Sequence, residues 1–247
     1  MGRSKDLATG ETRFVNTAGD TMTGNLAINN ASGSQVTLHR TDTTIANDDL
    51  YGQIILSGDD ADTNSSGTRG YIRGRSQGSG GGLKMEFGTA AGGVAMGDPR
   101  MTINADGYVT KPNQPAFQAD GNFGWRNYSS YTVVPDWRTT QSGWFNQGGH
   151  FNHNTGVFTC PIAGKYMIQL SIWVNNSGTT LHIGRVGRNG AYWGDNLMGY
   201  QNADTGYPDN NISASYIMNA SANDTITYYH HGDIYGYHSN WSIYLLG

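Results

Sequence analysis

The chain has 247 residues, a formal net charge of −4 and 36 glycines. Its length suits one large β domain or two smaller ones. The glycines do not recur at every third position, which excludes a collagen stalk. No basic stripe is present, which argues against nucleic acid as a partner. No apolar run reaches the ~18 residues of a membrane span, so membrane insertion is not predicted.

The composition favours strands over helices along the whole chain. Glutamate occurs twice and lysine four times, and the strong helix formers never cluster at a 3.6-residue period. Threonine, tyrosine, isoleucine and valine are frequent and turn residues recur, so the predicted fold class is all-β. The single cysteine, Cys160, excludes an intrachain disulfide, and it is predicted to be a buried small hydrophobe.

Residues 1–19 are polar and are predicted to form a flexible or attachment arm. Their first fourteen residues contain no apolar segment of the kind found in a secretory signal, so no signal peptide is expected.

Residues 20–110 hold short strand candidates separated by turn residues. Apolar residues alternate at Val36/Leu38, Ile54/Leu56, Leu83/Met85/Phe87 and Met101/Ile103, and the pair Asp106-Gly107 predicts a hairpin turn. Such short strands bury too little surface to fold alone. Three copies could pool their apolar faces, so we predict an interwoven trimeric β stem over residues 20–110. A small independent β domain is the alternative.

Residues 111–115 contain two prolines and are predicted to be a linker to a C-terminal head over residues 116–247. The clearest strand of this head has apolar residues at every second position, which makes one face of a sheet apolar. These residues are Tyr166, Ile168, Leu170, Ile172 and Val174. The final strand, residues 241–246, is apolar on both faces. One face is expected to meet the core and the other a neighbouring subunit. The residues predicted at a trimer interface are Tyr166, Trp241, Tyr244 and Leu246.

No catalytic motif was found, and we predict no catalytic residue and no cofactor. The zinc-protease, serine-hydrolase and P-loop signatures are absent. The cluster Asp59, Asp60 and Asp62 has turn-like flanks and is interpreted as a solvated loop. Asp60, Asp62 and Asn64 resemble the start of a Ca²⁺ loop, but the glycine and the final glutamate of that motif are missing.

Four histidines raise the possibility of a metal on a trimer axis, where one side chain from each subunit supplies three imidazoles. They form two close pairs, His150/His153 and His230/His231. Surface or hydrogen-bonded histidines are the favoured interpretation, so the prediction for a metal stays open.

Three segments combine aromatic residues with asparagine, aspartate and histidine: residues 191–196, 200–210 and 230–238. Flat rings pack against sugar C–H faces, and the polar groups can hydrogen-bond hydroxyls. The alternative is that these rings fill subunit interfaces or pack loops, where tyrosine and tryptophan are also enriched. The predicted ligand-binding residues are Trp193, Tyr200, Asp204, Tyr207, Asn210, His231, Tyr235 and Tyr237.

Several motifs of the C-terminal half resemble those of one family. The order F-N-x-x-T-G-x-F-T-x-P-x-x-G-x-Y over residues 151–166 resembles the signature of the C1q/TNF-like globular head, and P-A-F-x-A at residues 115–119 resembles its opening strand. Residues 223–228 and 241–246 resemble two later strands, except that Asn223 and Ile243 stand where glycine is common. The resemblance covers residues 114–247 and implies a ten-stranded jelly roll that trimerises and binds ligands.

Two motifs in the N-terminal half resemble repeats of phage tail-fibre proteins. These are G-D-x-M-T-G-x-L at residues 19–26 and R-M-x-I-x-x-x-G-x-V at residues 100–109. Together the two resemblances imply a fibre-like stem that carries a trimeric binding head.

The resulting functional hypothesis is a homotrimeric phage fibre-type adhesion protein, made in the host cytoplasm and located on the virion. Its head would bind host-surface glycans or proteins multivalently, and its N-terminus would contact other virion proteins. We predict that it is not an enzyme. The alternatives are a fibre enzyme that depolymerises host polysaccharide and a virion decoration protein without receptor binding. A C1q-like surface protein of a cellular organism is less consistent with the fibre-like stem.

Overall fold

The computed structural model describes residues 25, 27–61, 65–92, 97–175, 182–191, 200–201 and 209–246. The predicted arm over residues 1–19 and residues 62–64 of the predicted acidic loop lie outside these ranges. The described residues form β strands and one short 3-10 helix, which confirms the all-β prediction. No helix among them is long and apolar enough to cross a membrane. The chain divides into two compact units, residues Met1–Thr43 and Thr44–Gly247.

The described part of the first unit contains no strand. The alternation of Val36 and Leu38 predicted one, but both side chains are exposed, at 65% and 53%. Two alternating residues without a pairing partner are too few to hold a strand. The strand prediction at this point was therefore wrong.

The second unit begins with a five-stranded antiparallel sheet whose strands pair in chain order. Its strands are β1 (Leu50–Gly58), β2 (Gly67–Gln77), β3 (Gly82–Thr89), β4 (Met101–Ile103) and β5 (Val109–Thr110). The other alternating segments of the predicted stem lie in these strands. Gly107 adopts a φ of 86° in the turn between β4 and β5, as the hairpin prediction required. One chain supplies partners for all five strands, and their trimeric arrangement stays a prediction.

Two six-stranded antiparallel sheets follow. The first has the order β15-β12-β17-β6-β8, with β9 also paired to β6, and the second has the order β10-β11-β16-β13-β14, with β7 also paired to β16. The strands are β6 (Ala116–Gly121), β7 (Trp125–Val133), β8 (Trp137–Arg138), β9 (Phe145–Gln147), β10 (Phe151–Asn152), β11 (Val157–Thr159), β12 (Gly164–Asn175), β13 (His182–Arg188), β14 (Tyr200–Gln201), β15 (Asp209–Ala220), β16 (Thr225–Tyr235) and β17 (Asn240–Leu245). These are twelve strands in the described part of the head, so the predicted count of ten is not confirmed.

The core of the head lies between these two sheets and is built around aromatic rings. Trp241 has no exposed surface, and its ring packs against those of Phe117, Phe151 and Trp137 at centroid distances of 4.9, 5.4 and 5.8 Å. The alternating residues of β12, from Tyr166 to Val174, point into the same core, and each is at most 4% exposed. The period-2 pattern therefore identified the core face correctly.

This packing changes the interpretation of the predicted trimer interface. Tyr166 and Trp241 are both 0% exposed within a single chain, so they offer no surface on which another subunit could pack. Tyr244 is half-buried on the opposite face of β17, and Leu246 is 51% exposed. These two residues retain surface for a subunit contact.

The two departures from the C1q-like motifs have structural explanations. Asn223 adopts a φ of 69°, a left-handed conformation that asparagine tolerates better than most other residues with a side chain. Ile243 is fully buried and adds its side chain to the core. Both substitutions are therefore compatible with the fold.

Candidate functional site

The structure describes only some of the residues predicted to bind a ligand. Trp193, Asp204 and Tyr207 lie outside the described residues. Tyr200 lies in β14 and Asn210 in β15, and only the backbone of these two residues is described. The remaining three are His231, Tyr235 and Tyr237.

Tyr235 and Tyr237 belong to one group of rings, which we call the aromatic cluster. Tyr235 is its centre, with ring centroids at 4.9 Å from Trp125, 5.8 Å from Tyr237 and 4.9 Å from His238. His238 in turn lies 4.9 Å from Trp173. Trp125 and Tyr237 are 49% and 47% exposed, so the cluster presents two large ring surfaces to solvent.

The backbone around the end of β16 brings these rings together. Tyr237 and His238 lie in the 3-10 helix Gly236–His238, which directly follows Tyr235 at the end of β16. Gly121 packs so closely on this helix that a Cβ there would lie 2.5 Å from the Cα of Gly236. Glycine at both positions allows the β6–β7 turn and the 3-10 helix to touch.

Ser239 fixes the other side of the aromatic cluster. This buried residue donates its hydroxyl proton to the carbonyl oxygen of Tyr235 at 2.7 Å. Its hydroxyl oxygen accepts the backbone N–H of Trp173 at 2.9 Å. One side chain therefore ties β12 to the end of β16.

A polar pocket of about 300 Å³ lies beside the aromatic cluster. It is lined by Asn122, Arg126, Asp136, Trp137, Arg138, Thr139, Thr140, His153 and Asn154. Its volume is at the lower end of the range found for small-molecule sites. The lining offers amide, hydroxyl, carboxylate and guanidinium groups.

Ion pairs and ring contacts hold the two arginines of the polar pocket. Arg126 pairs with Asp136 at 2.9 Å, and its guanidinium lies 4.2 Å from the ring centroid of Phe123. Arg138 binds the carboxylate of Asp120 through both Nε and a terminal nitrogen. The hydrogen bond to Asp120 raises the pKa of Arg138 above its already high usual value, so this group is permanently charged.

Arg138 also connects the polar pocket to the aromatic cluster, because its guanidinium lies 5.0 Å from the ring centroid of Tyr237. The combined surface therefore places hydrogen-bonding groups next to exposed ring faces. We call the polar pocket and the aromatic cluster together the composite site.

The histidines and the cysteine of the sequence analysis do not join into a metal centre. Within the described residues, no group of three or more histidine, cysteine, aspartate or glutamate side chains is placed to hold an ion. His153 lines the polar pocket, whereas His230 is buried and His231 lies 5.6 Å from the ring of Tyr131. Cys160 is buried as predicted, and burial raises the pKa of its thiol to about 11.

Sequence reasoning missed Trp125, Trp173, Arg126 and Arg138 as members of this site. Trp125 and Arg126 directly follow the turn residues Asn122 and Gly124. These turn residues were the available signal that the two side chains lie near an exposed loop. Trp173 lies on the strand whose alternate residues form the core, and its outward position follows from the same period of two. Their convergence with Tyr235 depends on the sheet topology, which the sequence does not show.

Comparison with known proteins finds one family to which part of this chain is similar. Residues 140–226 match the C1q domain. This segment covers strands of both six-stranded sheets, which form the C1q/TNF-like jelly roll predicted from the motifs. C1q domains are generally binding domains rather than enzymes. No curated protein matches the chain.

Two solved structures are each similar to a little more than half of the chain. The TNF protein Eiger from S. frugiperda matches with a TM-score of 0.42 and 16% identity, covering 55% of this chain and 94% of its own. The globular domain of zebrafish complement 1qA matches with a TM-score of 0.35 and 14% identity, covering 54% of this chain and 98% of its own.

Proposed function

We propose that this chain is a phage fibre-type adhesion protein, a homotrimer whose C1q-like head binds host-surface glycans without cleaving them. The observation that carries the proposal is the composite site, in which exposed faces of Trp125 and Tyr237 adjoin a polar pocket. The fibre part of the proposal is supported by the motifs at residues 19–26 and 100–109.

The chemistry of the composite site suits a carbohydrate. A sugar ring presents one face of C–H groups and a rim of hydroxyls. The tryptophan and tyrosine rings provide flat apolar surfaces for the C–H face. Asn122, Asn154 and the paired arginines provide fixed hydrogen-bonding groups for the rim. Exposed aromatic patches on soluble domains commonly mark such binding surfaces.

Trimerisation would allow composite sites of weak individual affinity to bind a glycan-covered surface tightly. C1q-like homologues are typically trimeric. Three composite sites on one particle would bind a glycan-covered surface with an avidity that exceeds the affinity of one site by ~100-fold or more. The proposal therefore requires only modest affinity at each head.

A glycan array probed with the purified protein tests this proposal. We expect a restricted set of glycans to bind, and Trp125→Ala and Tyr237→Ala each to reduce that binding. Tyr108→Ala is the matched control, because Tyr108 is 70% exposed but lies in the turn between β4 and β5. Equal binding by all four proteins would remove the composite site from the proposal.

Two further outcomes distinguish the alternative functions. Release of reducing sugars from a bound polysaccharide by the wild-type protein would favour a depolymerase. Absence of binding to any glycan and to host cells would favour a decoration protein without receptor binding.

A further inference from the structure

The five-stranded sheet β1–β5 has one face that is apolar across all its strands. The strand register places Ile54 opposite Ile72, Ile72 opposite Phe87 and Phe87 opposite Met101. Residues directly opposite each other point to the same side of a sheet. These four side chains therefore form a continuous apolar row.

A second apolar row runs beside the first. It contains Met85, Ile103 and Val109, which are again paired across neighbouring strands. Leu56 extends the face at one end by lying over Gly70, where an added Cβ would meet its Cδ1 at 3.3 Å. We call this whole surface the apolar stem face.

The apolar stem face is open to solvent in a single chain. Ile54, Leu56, Ile72 and Val109 are 53%, 61%, 41% and 54% exposed. Isolated apolar residues on a surface are ordinary, but a contiguous group of this kind marks an interaction site.

The opposite face of the same sheet has a different character. There Glu86 is only 4% exposed, although it carries a charge. It forms ion pairs with Arg73, Arg75 and Lys84. The guanidinium of Arg73 also lies 4.1 Å from the ring centroid of Tyr71. The carboxylate of Glu86 is therefore paired within the chain on this face, whereas the apolar stem face exposes several large apolar side chains.

We propose that the apolar stem face is a contact surface between copies of this chain. The proposal rests on the self-association that belongs to the proposed function, and it names the surface in the stem that takes part. It does not involve the composite site.

The continuity of this face with the head favours copies of the chain over a foreign partner. Val109 belongs to the apolar stem face and also lines a cavity of about 450 Å³. Phe145 and Tyr244 of the head line the same cavity. Tyr244 is one of the two residues that retain surface for the predicted subunit contact, so the stem face extends that surface.

The size of the face indicates that it acts together with a second surface. Three strands with about 20 Å of side chains each and two short strands of at most about 10 Å, spaced about 4.8 Å apart, give roughly 400 Å². A stable interface buries about 800 Å² per partner. The apolar stem face alone is therefore too small, and we expect it to act together with the surface around Tyr244. A face without charged groups also lacks polar contacts that would select a foreign protein.

Neighbouring isoleucines provide a matched test. Ile54 lies on the apolar stem face and Ile55 on the charged face, and they are 53% and 47% exposed on the same strand. Ile54→Cys and Ile55→Cys would be treated with a short bis-maleimide cross-linker. Cys160, the only native cysteine, is fully buried and should stay silent.

We expect Ile54→Cys to give covalent oligomers and Ile55→Cys to remain at the wild-type background. In parallel, light scattering should show that Ile54→Asp weakens association at least about tenfold and that Ile55→Asp does not, because only the first buries an unpaired carboxylate. Circular dichroism would verify that each variant is folded.

Equal cross-linking of both cysteine variants, or none in either, would overturn the proposal. A wild-type chain that stays monomeric at micromolar concentration would also overturn it. If the chain is monomeric, rapid alkylation of the thiol introduced by Ile54→Cys would show that the face is accessible and could bind a different protein. Slow alkylation would show that another segment of the same chain covers the face. Glycan binding by a dissociated Ile54→Asp protein would show that the composite site works independently of this face.

Discussion

The guanidinium of Arg138 lies 5.0 Å from the ring centroid of Tyr237 while it binds the carboxylate of Asp120. A single side chain thus pairs with a buried carboxylate, lines the polar pocket and contacts the aromatic cluster. Asp120 is only 5% exposed, so the charge of Arg138 compensates a carboxylate that water barely reaches. The stability of the head and the geometry of the composite site are therefore coupled at this residue.

Arg138→Ala is expected to lower both stability and glycan binding. Loss of the guanidinium leaves Asp120 without its ionic partner, which should reduce the free energy of unfolding by about 2–3 kcal/mol. The double variant Arg138→Ala/Asp120→Asn removes that buried charge. It should recover much of the stability without recovering glycan binding. Chemical denaturation and glycan titration measure the two effects separately, and recovery of both together would contradict a direct role of Arg138 in binding.

The head should lose stability in acid because of a buried histidine. The Nε2–H of His230 donates to the carbonyl oxygen of Asp233 at 3.2 Å, and its Nδ1 accepts the hydroxyl proton of Tyr228 at 2.8 Å. This arrangement requires a neutral ring. Burial lowers the pKa of His230 to about 3.

The sign of the pH effect follows from this pKa. The pKa of His230 is about 3 in the fold, and that of an unfolded histidine is about 6.5. At a pH between these two values, the unfolded chain binds the proton and the folded chain does not. The stabilisation present above pH ~6.5 is therefore lost as the pH falls, by roughly 5 kcal/mol in total. His230→Gln should flatten this dependence in urea denaturation between pH 7 and pH 4, whereas exposed His39→Gln should leave it unchanged. An unchanged slope in His230→Gln would contradict the assignment.

Tyr244→Asp is expected to prevent self-association. In a trimer, three carboxylates would be buried near one another without cationic partners, which is strongly unfavourable. Sedimentation velocity should therefore show a smaller folded species. Ala222→Asp is the control, because Ala222 lies exposed in the turn before β16. If Tyr244→Asp sediments like the wild-type protein, the subunit contact lies elsewhere.

The sequence predicted the elements of the head better than its site. Period-2 alternation located β12 and its core face, and the signature glycine Gly156 has a clear reason. It adopts a φ of 69°, and a Cβ there would lie 2.2 Å from the carbonyl oxygen of Val134. A sequence pattern can reveal features of this kind because the alternation of a strand and the conformation of a single glycine each depend on a few residues.

The prediction of Tyr166 and Trp241 at a subunit interface was wrong for an equally local reason. Tyr166 occupies the same alternating positions as Ile168 and Leu170, so the pattern that predicted the strand also placed this ring in the core. The aromatic cluster could not be predicted in this way. Trp125 and Trp173 are far apart in the chain and meet the end of β16 only because Ser239 and the two glycines of the close crossing position the backbone.

The central claim is glycan binding at the composite site, and calorimetric titration of the best array glycan tests it most directly. Wild-type protein and the double variant Trp125→Ala/Tyr237→Ala would be titrated with the monovalent glycan, after light scattering has shown that they assemble alike. Each ring should contribute about 1 kcal/mol by analogy with aromatic pairs, which corresponds to about fivefold in Kd per ring. We predict that the Kd of the double variant rises by about 25-fold. An unchanged Kd would contradict the account and place the glycan elsewhere on the protein.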